Sequence, residues 1–507
     1  MRLEVNEFDQ VGNVLFKHEG NLVGSDYART TAYEYNPAGL VEEQTLVNSD
    51  GDPERRTSTV YDAAGHPKTM TRDGFTAITG IPDRITHLAY NDDGLLLTKT
   101  VENDVTTDLE TTYTYNARGG VTSEQDPEDN VFETDYDQLG RPTVRTAPEV
   151  HNESNGSGGD SRPETITGYN EFGEASHEED ANGNVTEHWY DDLGRETAIW
   201  YPTYTPPGGS PITAAELMSY DGVGNLVYKV DRRGKSSTFD FDQLNRVYRT
   251  LTPGSAPSSQ VENLTFYDFV GNQVRTVDPT GAVTRFEYDM ADRLRHRIVE
   301  VRQPLAATKE LTTTYDYDSL GNQTYFKDEL DKETTRTVNA AGQVLAVTDP
   351  LSHTATTAFN PFGDKVEEVD ESDIHTAFGY DQAGRMTSTA NTGLAGAETP
   401  QTTVIDYDAR GLRRATTSPE GRATTVIWDD AGRMESVTIG SGPEASTTDL
   451  YYDAAGNNTR VKNGEGESTI LTYQEWNLLA DRIEPDGARR NSPGVLTKIP
   501  HLRVWSS

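Results

Sequence analysis

Apolar and polar residues alternate along most of this chain in short stretches, broken at near-regular intervals by Gly, Asn and Asp. Val274-Arg275-Thr276-Val277 and Val283-Thr284-Arg285-Phe286-Glu287-Tyr288 are representative. Side chains of a strand point alternately to opposite faces, so this period-two pattern between turn residues predicts β-hairpins. No run approaches the roughly 18–20 apolar residues of a membrane span.

The breaks follow a rule. A hexapeptide recurs: an aromatic residue, Asp or Asn, two variable residues, Gly, then often Arg or Asn. Tyr136-Asp137-Gln138-Leu139-Gly140-Arg141 and Tyr317-Asp318-Ser319-Leu320-Gly321-Asn322 are clear copies. Twenty copies begin at 8, 35, 61, 90, 115, 136, 169, 190, 220, 241, 267, 288, 317, 338, 359, 380, 407, 428, 452 and 473. Position one is aromatic in nineteen (Val338 departs), and position two is Asp or Asn in nineteen (Gln474 departs). Position five is Gly in seventeen and Asn245, Asp292 or Asn477 in the rest. Asn and Asp are the side-chain-bearing residues that best tolerate positive φ, so position five is predicted to be a left-handed turn position.

Nine of the nineteen intervals are 21 residues, and all others are longer. Eleven residues after the aromatic, these short units open a second turn, as in Asp278-Pro279-Thr280-Gly281 and Ser418-Pro419-Glu420-Gly421. Asp, Pro and Gly at such positions suit a type I turn. Each unit is therefore one hairpin. Longer intervals place their extra residues near the second turn, at 151–163, 202–211, 252–260 and 440–447, and read as extended hairpin loops. The expected organisation is one repeat array over residues 1–478 and a non-repeat tail over 479–507. A propeller is the competing architecture, but twenty units would require ten blades, and the motif recurs in every unit rather than every second one.

Composition sharpens this picture. The chain has 507 residues, 83 Asp+Glu against 44 Lys+Arg, and a net charge of −39. Only 34 % of residues are apolar and mean hydropathy is −0.71, yet 9 % are aromatic. A repeat array that contacts only its neighbours needs no thick core, and one aromatic rung per unit supplies burial along one face. The acidity argues against nucleic-acid partners, which depend on Lys and Arg at phosphates. With no Cys, disulfides and thiolate chemistry are excluded. Met1–Glu7 carries no apolar signal-peptide core.

At these motifs the sequence resembles the Rhs/YD-repeat family, whose members include bacterial polymorphic toxins, wall-associated proteins and the shell region of teneurins. The resemblance covers about nine-tenths of the chain. It implies an all-β strip of antiparallel hairpins forming a spiral or hollow shell, which in toxin members encloses a C-terminal toxin. It also implies an extracellular or cell-surface location. Toxin members end in a self-cleaving segment rich in Arg-Tyr-Tyr-Asp-Pro, and nothing like it is present. Ile483-Glu484-Pro485-Asp486-Gly487 is the nearest echo. The chain reads as a segment of shell without either cap.

Other constellations weigh less. Asp180-Ala-Asn182-Gly-Asn184 spaces oxygens as a calcium loop does, but it lies at a second turn. Asp316-Tyr-Asp318 has Leu320 where a calcium loop needs Asp or Asn. Gly234-Lys235-Ser236 has the ending of a phosphate loop, with Lys229 where the first Gly belongs. His87, His188, His353 and His375 lack ligand spacing. Asn152, Asn184, Asn263 and Asn322 begin Asn-x-Ser/Thr sequences. The reading assigns no catalytic, metal or cofactor residues. It expects a non-catalytic encapsulating shell segment whose partners are an enclosed toxin or the capping domains of a longer chain. The alternative is a glycan or cell-wall binding module that uses aromatic rungs and variable loops.

Overall fold

The computed structural model describes residues 3–20, 28–48, 50–75, 79–103, 108–154, 157–205, 210–254, 259–301, 309–394 and 399–491. It is all-β. Of the 43 strands among the described residues, 41 join one antiparallel sheet, and each pairs with the next of that sheet along the chain. The remaining two, Val150–Ser154 and Ser157–Ser161, form a small hairpin of their own within the predicted loop 151–163. None of the described helical turns is long and apolar enough to cross a membrane.

Each of the twenty motifs closes a strand with its first residue and then turns. At Asp137 the backbone N–H donates to the Arg141 carbonyl at 2.9 Å, and the Gly140 N–H returns to the Asp137 carbonyl at 3.0 Å. Asp137 Oδ1 accepts the N–H groups of Leu139 and Arg141 at 2.8 and 3.0 Å. One carboxylate oxygen thus satisfies two turn amides, and the strands shift register beside Tyr136 to absorb the extra residue. All twenty position-five residues have positive φ, including Asn245 at 58°, Asp292 at 57° and Asn477 at 56°. Because a branched Cβ is strained there, Asn245→Val is expected to cost about 1–2 kcal/mol and Asn245→Gly almost nothing, read as urea midpoints.

The second turns are built the same way. Asp278 N–H donates to the Ala282 carbonyl, Gly281 N–H returns to the Asp278 carbonyl, and Gly281 has φ of 83°. The ladder runs on past the twentieth motif, through Leu479–Ile483, a turn at Glu484–Gly487 and Arg489–Asn491.

Burial is thin and one-sided. Strands such as Glu333–Val338 and Thr354–Phe359 alternate exposed with half-buried residues, and among the described residues no side chain is fully buried. The position-one rungs are half-buried, except Phe8, which is exposed.

Contacts group the chain into two units. One comprises Met1–Thr112 and Ser237–Ile405, the other Tyr113–Ser236 and Asp406–Ser507. Within each unit, two stretches remote in sequence meet edge to edge.

Candidate functional site: the turn motif and the seams it builds

The motif's residue preferences are hydrogen-bonding rules. Position-one tyrosines donate their hydroxyls to the carbonyl of the residue just after the preceding motif. Tyr35 reaches Val14, Tyr190 reaches Ala175 and Tyr452 reaches Met434. Trp428 does the same through its indole N–H, to the Arg413 carbonyl at 3.0 Å. The Tyr473 hydroxyl is buried without a partner, and burial pushes its pKa up to about 12.

Positions two and six pair where both side chains are polar. Where position two is Asp, its Oδ2 pairs with Arg, Asn or His at position six: Arg195 Nε to Asp191 at 2.8 Å, Asn225 Nδ2 to Asp221 at 2.8 Å, His66 Nδ1 with Asp62 at 3.1 Å. Where position two is Asn and position six carries an acceptor, the polarity reverses: Asn170 donates to Glu174 at 2.6 Å and Asn360 to Asp364 at 3.0 Å; Asn36, Asn91 and Asn116 face Leu or Gly there. Asp408 has Leu412 at position six, and Arg410 supplies the guanidinium from position four instead, at 3.0 Å. The arginine then reaches forward. Arg246 Nη1 donates to the next motif's Asp268 carbonyl at 2.7 Å while its guanidinium lies 4.6 Å from the Tyr267 ring centre.

This polarity gives a test. Asp191→Asn puts an amide where Arg195 needs an acceptor and is expected to lower the urea midpoint. Adding Arg195→Glu, which reproduces the Asn170–Glu174 arrangement, should restore most of the loss.

The same bonds set acid sensitivity. Side-chain bonds from Arg195 and Arg246 hold the Asp191 and Asp242 carboxyls below their ordinary value. The Arg141 backbone N–H, then its side chain, do so for Asp137. A carboxyl depressed on folding stabilises above its unfolded pKa, roughly 3.9, and loses that contribution as pH falls through the folded value. The protein is therefore expected to keep its ordered far-ultraviolet spectrum to about pH 4 and lose it below, in an acid titration followed by circular dichroism.

The seams use the same turns. In the first unit, Phe362, at position four of its motif, is 7 % exposed, with the Arg84 guanidinium 4.1 Å from its ring centre. Arg72 Nη2 donates to the Phe362 carbonyl at 2.6 Å, and Arg84 Nη2 to Asp364 at 2.6 Å. In the second unit, Arg433 pairs with Asp429 at 2.6 Å and donates to the Asp453 carbonyl at 3.0 Å. It also reaches the outlying hairpin, at Asn152 Oδ1 (3.0 Å) and the His151 carbonyl (3.2 Å). Arg460 binds the buried Glu153 carboxylate of that hairpin at 2.6 Å. These seam partners lie between 280 and 307 residues apart in sequence.

The other sequence candidates are absorbed into this framework. Asp180 Oδ1 accepts two turn amides, and Oδ2 accepts Asn184 Nδ2 at 3.0 Å and Asn477 Nδ2 at 3.1 Å. Asn182 donates across the seam to Asp453 at 3.0 Å. Asp318 Oδ1 caps Leu320 and Asn322, while Asp316 lies 3.8 Å from Arg295. The Gly234 and Lys235 amides are spent on Asp231, and Lys229 pairs with Glu216 at 2.7 Å. His87, His188, His353 and His375 each pair with a separate carboxylate: Glu102, Glu196, Asp349 and Glu367. Asn152, Asn184 and Asn322 bond within their own hairpins, and Asn263 lies in the strand Gln260–Tyr267. A cleft of about 420 Å³ in the second unit is lined by Glu179, Asp180, Tyr201, Arg232 and Trp476 among others.

Residues 255–500 match the family model described as Teneurin YD-shell. No curated protein matches the sequence. Solved structures similar to the chain include the TcdB2-TccC3-Cdc42 crystal structure, with a TM-score of 0.61 and 13 % identity. That likeness covers 97 % of this chain and 31 % of that one. The Photorhabdus luminescens Tc holotoxin pore with TccC3-D651A gives 0.60 at 14 % identity, covering 97 % and 31 %. TcdB2-TccC3 without its hypervariable C-terminal region gives 0.60 at 14 % identity, also covering 97 % and 31 %. The chain thus spans about a third of the length of these structures, and at such identity the likeness speaks to fold. The recurring motif, the family match over residues 255–500 and the shared fold together give this chain the architecture of a Rhs/YD-repeat, or YD-shell, array.

Proposed function

We propose that this chain is a length of non-catalytic shell wall, carried on a secreted or cell-surface protein, that encloses a polypeptide toxin. The observation that carries the reading is the coverage of 97 % of the chain by the fold of TcdB2-TccC3, a structural match to toxin-complex proteins. The internal use of the recurring motif chemistry supports it. Motif carboxylates, arginines and tyrosine hydroxyls bond to one another and to backbone, as a wall requires and an active site does not. The test is mass spectrometry of the natural polypeptide isolated from its cells, before and after protease. A polypeptide outside residues 1–507 that resists protease until the shell is denatured is the expected result. A particle whose whole mass is accounted for by repeat sequence, with no protected peptide, overturns the reading.

A second reading, binding to glycans or cell wall, has one observation in its favour. Trp189, Trp200, Leu217 and Tyr228 are 58, 38, 41 and 38 % exposed. Their pairings with Ala198, Glu187, Ala198 and Ser219 put them on one face of neighbouring strands. Flat aromatic platforms suit sugar rings. Retention on peptidoglycan that Trp189→Ala and Trp200→Ala abolish would favour this reading; equal passage of wild type and variants would remove it.

A further inference from the structure

Acids outnumber bases in this chain, 83 to 44, yet in the first unit three arginines converge on a single carboxylate. Arg72 and Arg84 stand directly opposite each other on the strands Pro67–Arg72 and Arg84–Tyr90. Arg72 is also opposite Thr57 of the strand Pro53–Tyr61, and Arg55, two residues before Thr57, lies on the same face. All three reach the turn Phe362-Gly363-Asp364. The guanidinium carbons of Arg72 and Arg84 lie 5.5 and 4.1 Å from the Phe362 ring centre. Arg55 Nη2 lies 2.6 Å from the point where a Cβ would stand on Gly363.

Like charges directly opposite on neighbouring strands destabilise a sheet, and here they are under-compensated. Asp364 accepts Arg84 Nη2 at 2.6 Å and is the only carboxylate bonded to the three among the described residues. Arg72 Nη2 is spent on the Phe362 carbonyl. Arg84 Nε is buried with no acceptor, and among the described residues Arg55 has none either. Glu54, beside Arg55, is bonded instead by the Ala340 and Ala341 N–H groups. Burial, then the charge of Arg84, pushes the Arg72 guanidinium below its ordinary pKa. The cluster is open to solvent, with Arg55 half-buried and Arg72 exposed. The second unit's seam is different: Arg433 and Arg460 each have a carboxylate of their own, Asp429 and Glu153. Packing alone asks for such one-to-one pairs.

We propose that Arg55, Arg72 and Arg84 bind a phosphate dianion, as orthophosphate or as a phosphomonoester, beside Phe362-Gly363-Asp364. Planar guanidinium forks take phosphate oxygens two at a time. A tetrahedral group offers enough oxygens for three forks, which a single carboxylate does not. Its two charges also match the surplus that three guanidiniums hold over Asp364. Bound there, it supplies acceptors to the unused N–H groups of Arg55 and to Arg84 Nε, and it screens Arg72 from Arg84. The site does not depend on what the shell encloses.

The test titrates the full chain with inorganic phosphate at fixed ionic strength, by calorimetry and by the urea midpoint of residues 53–90 followed through hydrogen exchange. Phosphate is expected to bind and to raise that midpoint, and acetate at equal concentration to do neither. Arg55→Gln should weaken phosphate binding at least about tenfold. Without phosphate the same variant should have an unchanged or higher midpoint, because it removes like charge and no bond. Arg414→Gln, which deletes an exposed arginine of the second unit, should bind phosphate as the wild type does. Tighter binding of glycerol phosphate than of orthophosphate assigns a phosphomonoester; equal or weaker binding assigns the free ion. The proposal is overturned by the absence of a phosphate effect, by an equal effect of acetate, or by an equal loss in Arg414→Gln. A lower phosphate-free midpoint in Arg55→Gln overturns it too, since that variant would then have lost a structural bond.

Discussion

Arg433→Ala is expected to lower the stability of the second unit by about 3–5 kcal/mol, because it strips the partner from a largely buried carboxylate. The side chains of Arg433 and Asp429 are 14 and 15 % exposed, and their bond is 2.6 Å. The same guanidinium serves the Asp453 and His151 carbonyls and Asn152 Oδ1, and lies 5.0 Å from the Tyr452 ring centre. Alanine leaves all of these acceptors to be resolvated or abandoned. Lysine is a point donor that cannot span them and should recover little. The check is a urea titration read by hydrogen exchange of residues 428–461, compared with Arg141→Ala. Arg141 makes the equivalent bonds to Asp137 and stacks on Tyr169, but no seam contact of its own is present among the described bonds, so its loss should be far smaller. Equal effects would show that the turn, not the seam, holds this part of the protein.

Phe362→Ala should cost the first unit about 3–4 kcal/mol, the usual range for truncating a buried phenylalanine. Part of that is dispersion and burial; part is the guanidinium of Arg84 over the ring. Phe362→Leu keeps most of the apolar volume and loses only the ring, so it should cost about 1–2 kcal/mol. A double-mutant cycle with Arg84→Met, read as urea midpoints, should return a coupling of at least about 0.5 kcal/mol. A coupling near zero would mean that Arg84 acts only through Asp364, to which it also bonds.

Most of the local structure was legible before the fold was seen. Position five takes positive φ in all twenty motifs, including the three that carry Asn or Asp, because steric restriction at one residue leaves few identities that fit. The second turns, read from Asp, Pro and Gly spacing, form with the same two backbone bonds as the first. Other features are present in the sequence but have no meaning until the chain is folded. Donor at position two with acceptor at position six, or the reverse, is visible in Asp191/Arg195 against Asn170/Glu174, yet its meaning depends on knowing that the two side chains meet across the turn. The preference for tyrosine over phenylalanine likewise needed the neighbouring hairpin's carbonyl. The histidines and the Asp180 loop carried no legible role, and the structure gives each an ordinary partner in its own hairpin or across a seam.

What the sequence determined by itself was the hairpin: where each strand ends, which residue turns left-handed, and that strands pair in chain order. These are local facts, fixed within some twenty residues by backbone sterics, side-chain alternation and turn chemistry. What only the tertiary structure decided was which turns meet across each seam. Arg72 and Phe362, or Arg433 and Asn152, are separated by 290 and 281 residues. Their meeting depends on twist and bulges accumulated over many strands, each small and none encoded at the contact. Position four accordingly reads as variable in the sequence. In the folded chain it is the position that distinguishes a docked turn, such as Phe362, from an open one, such as Phe172.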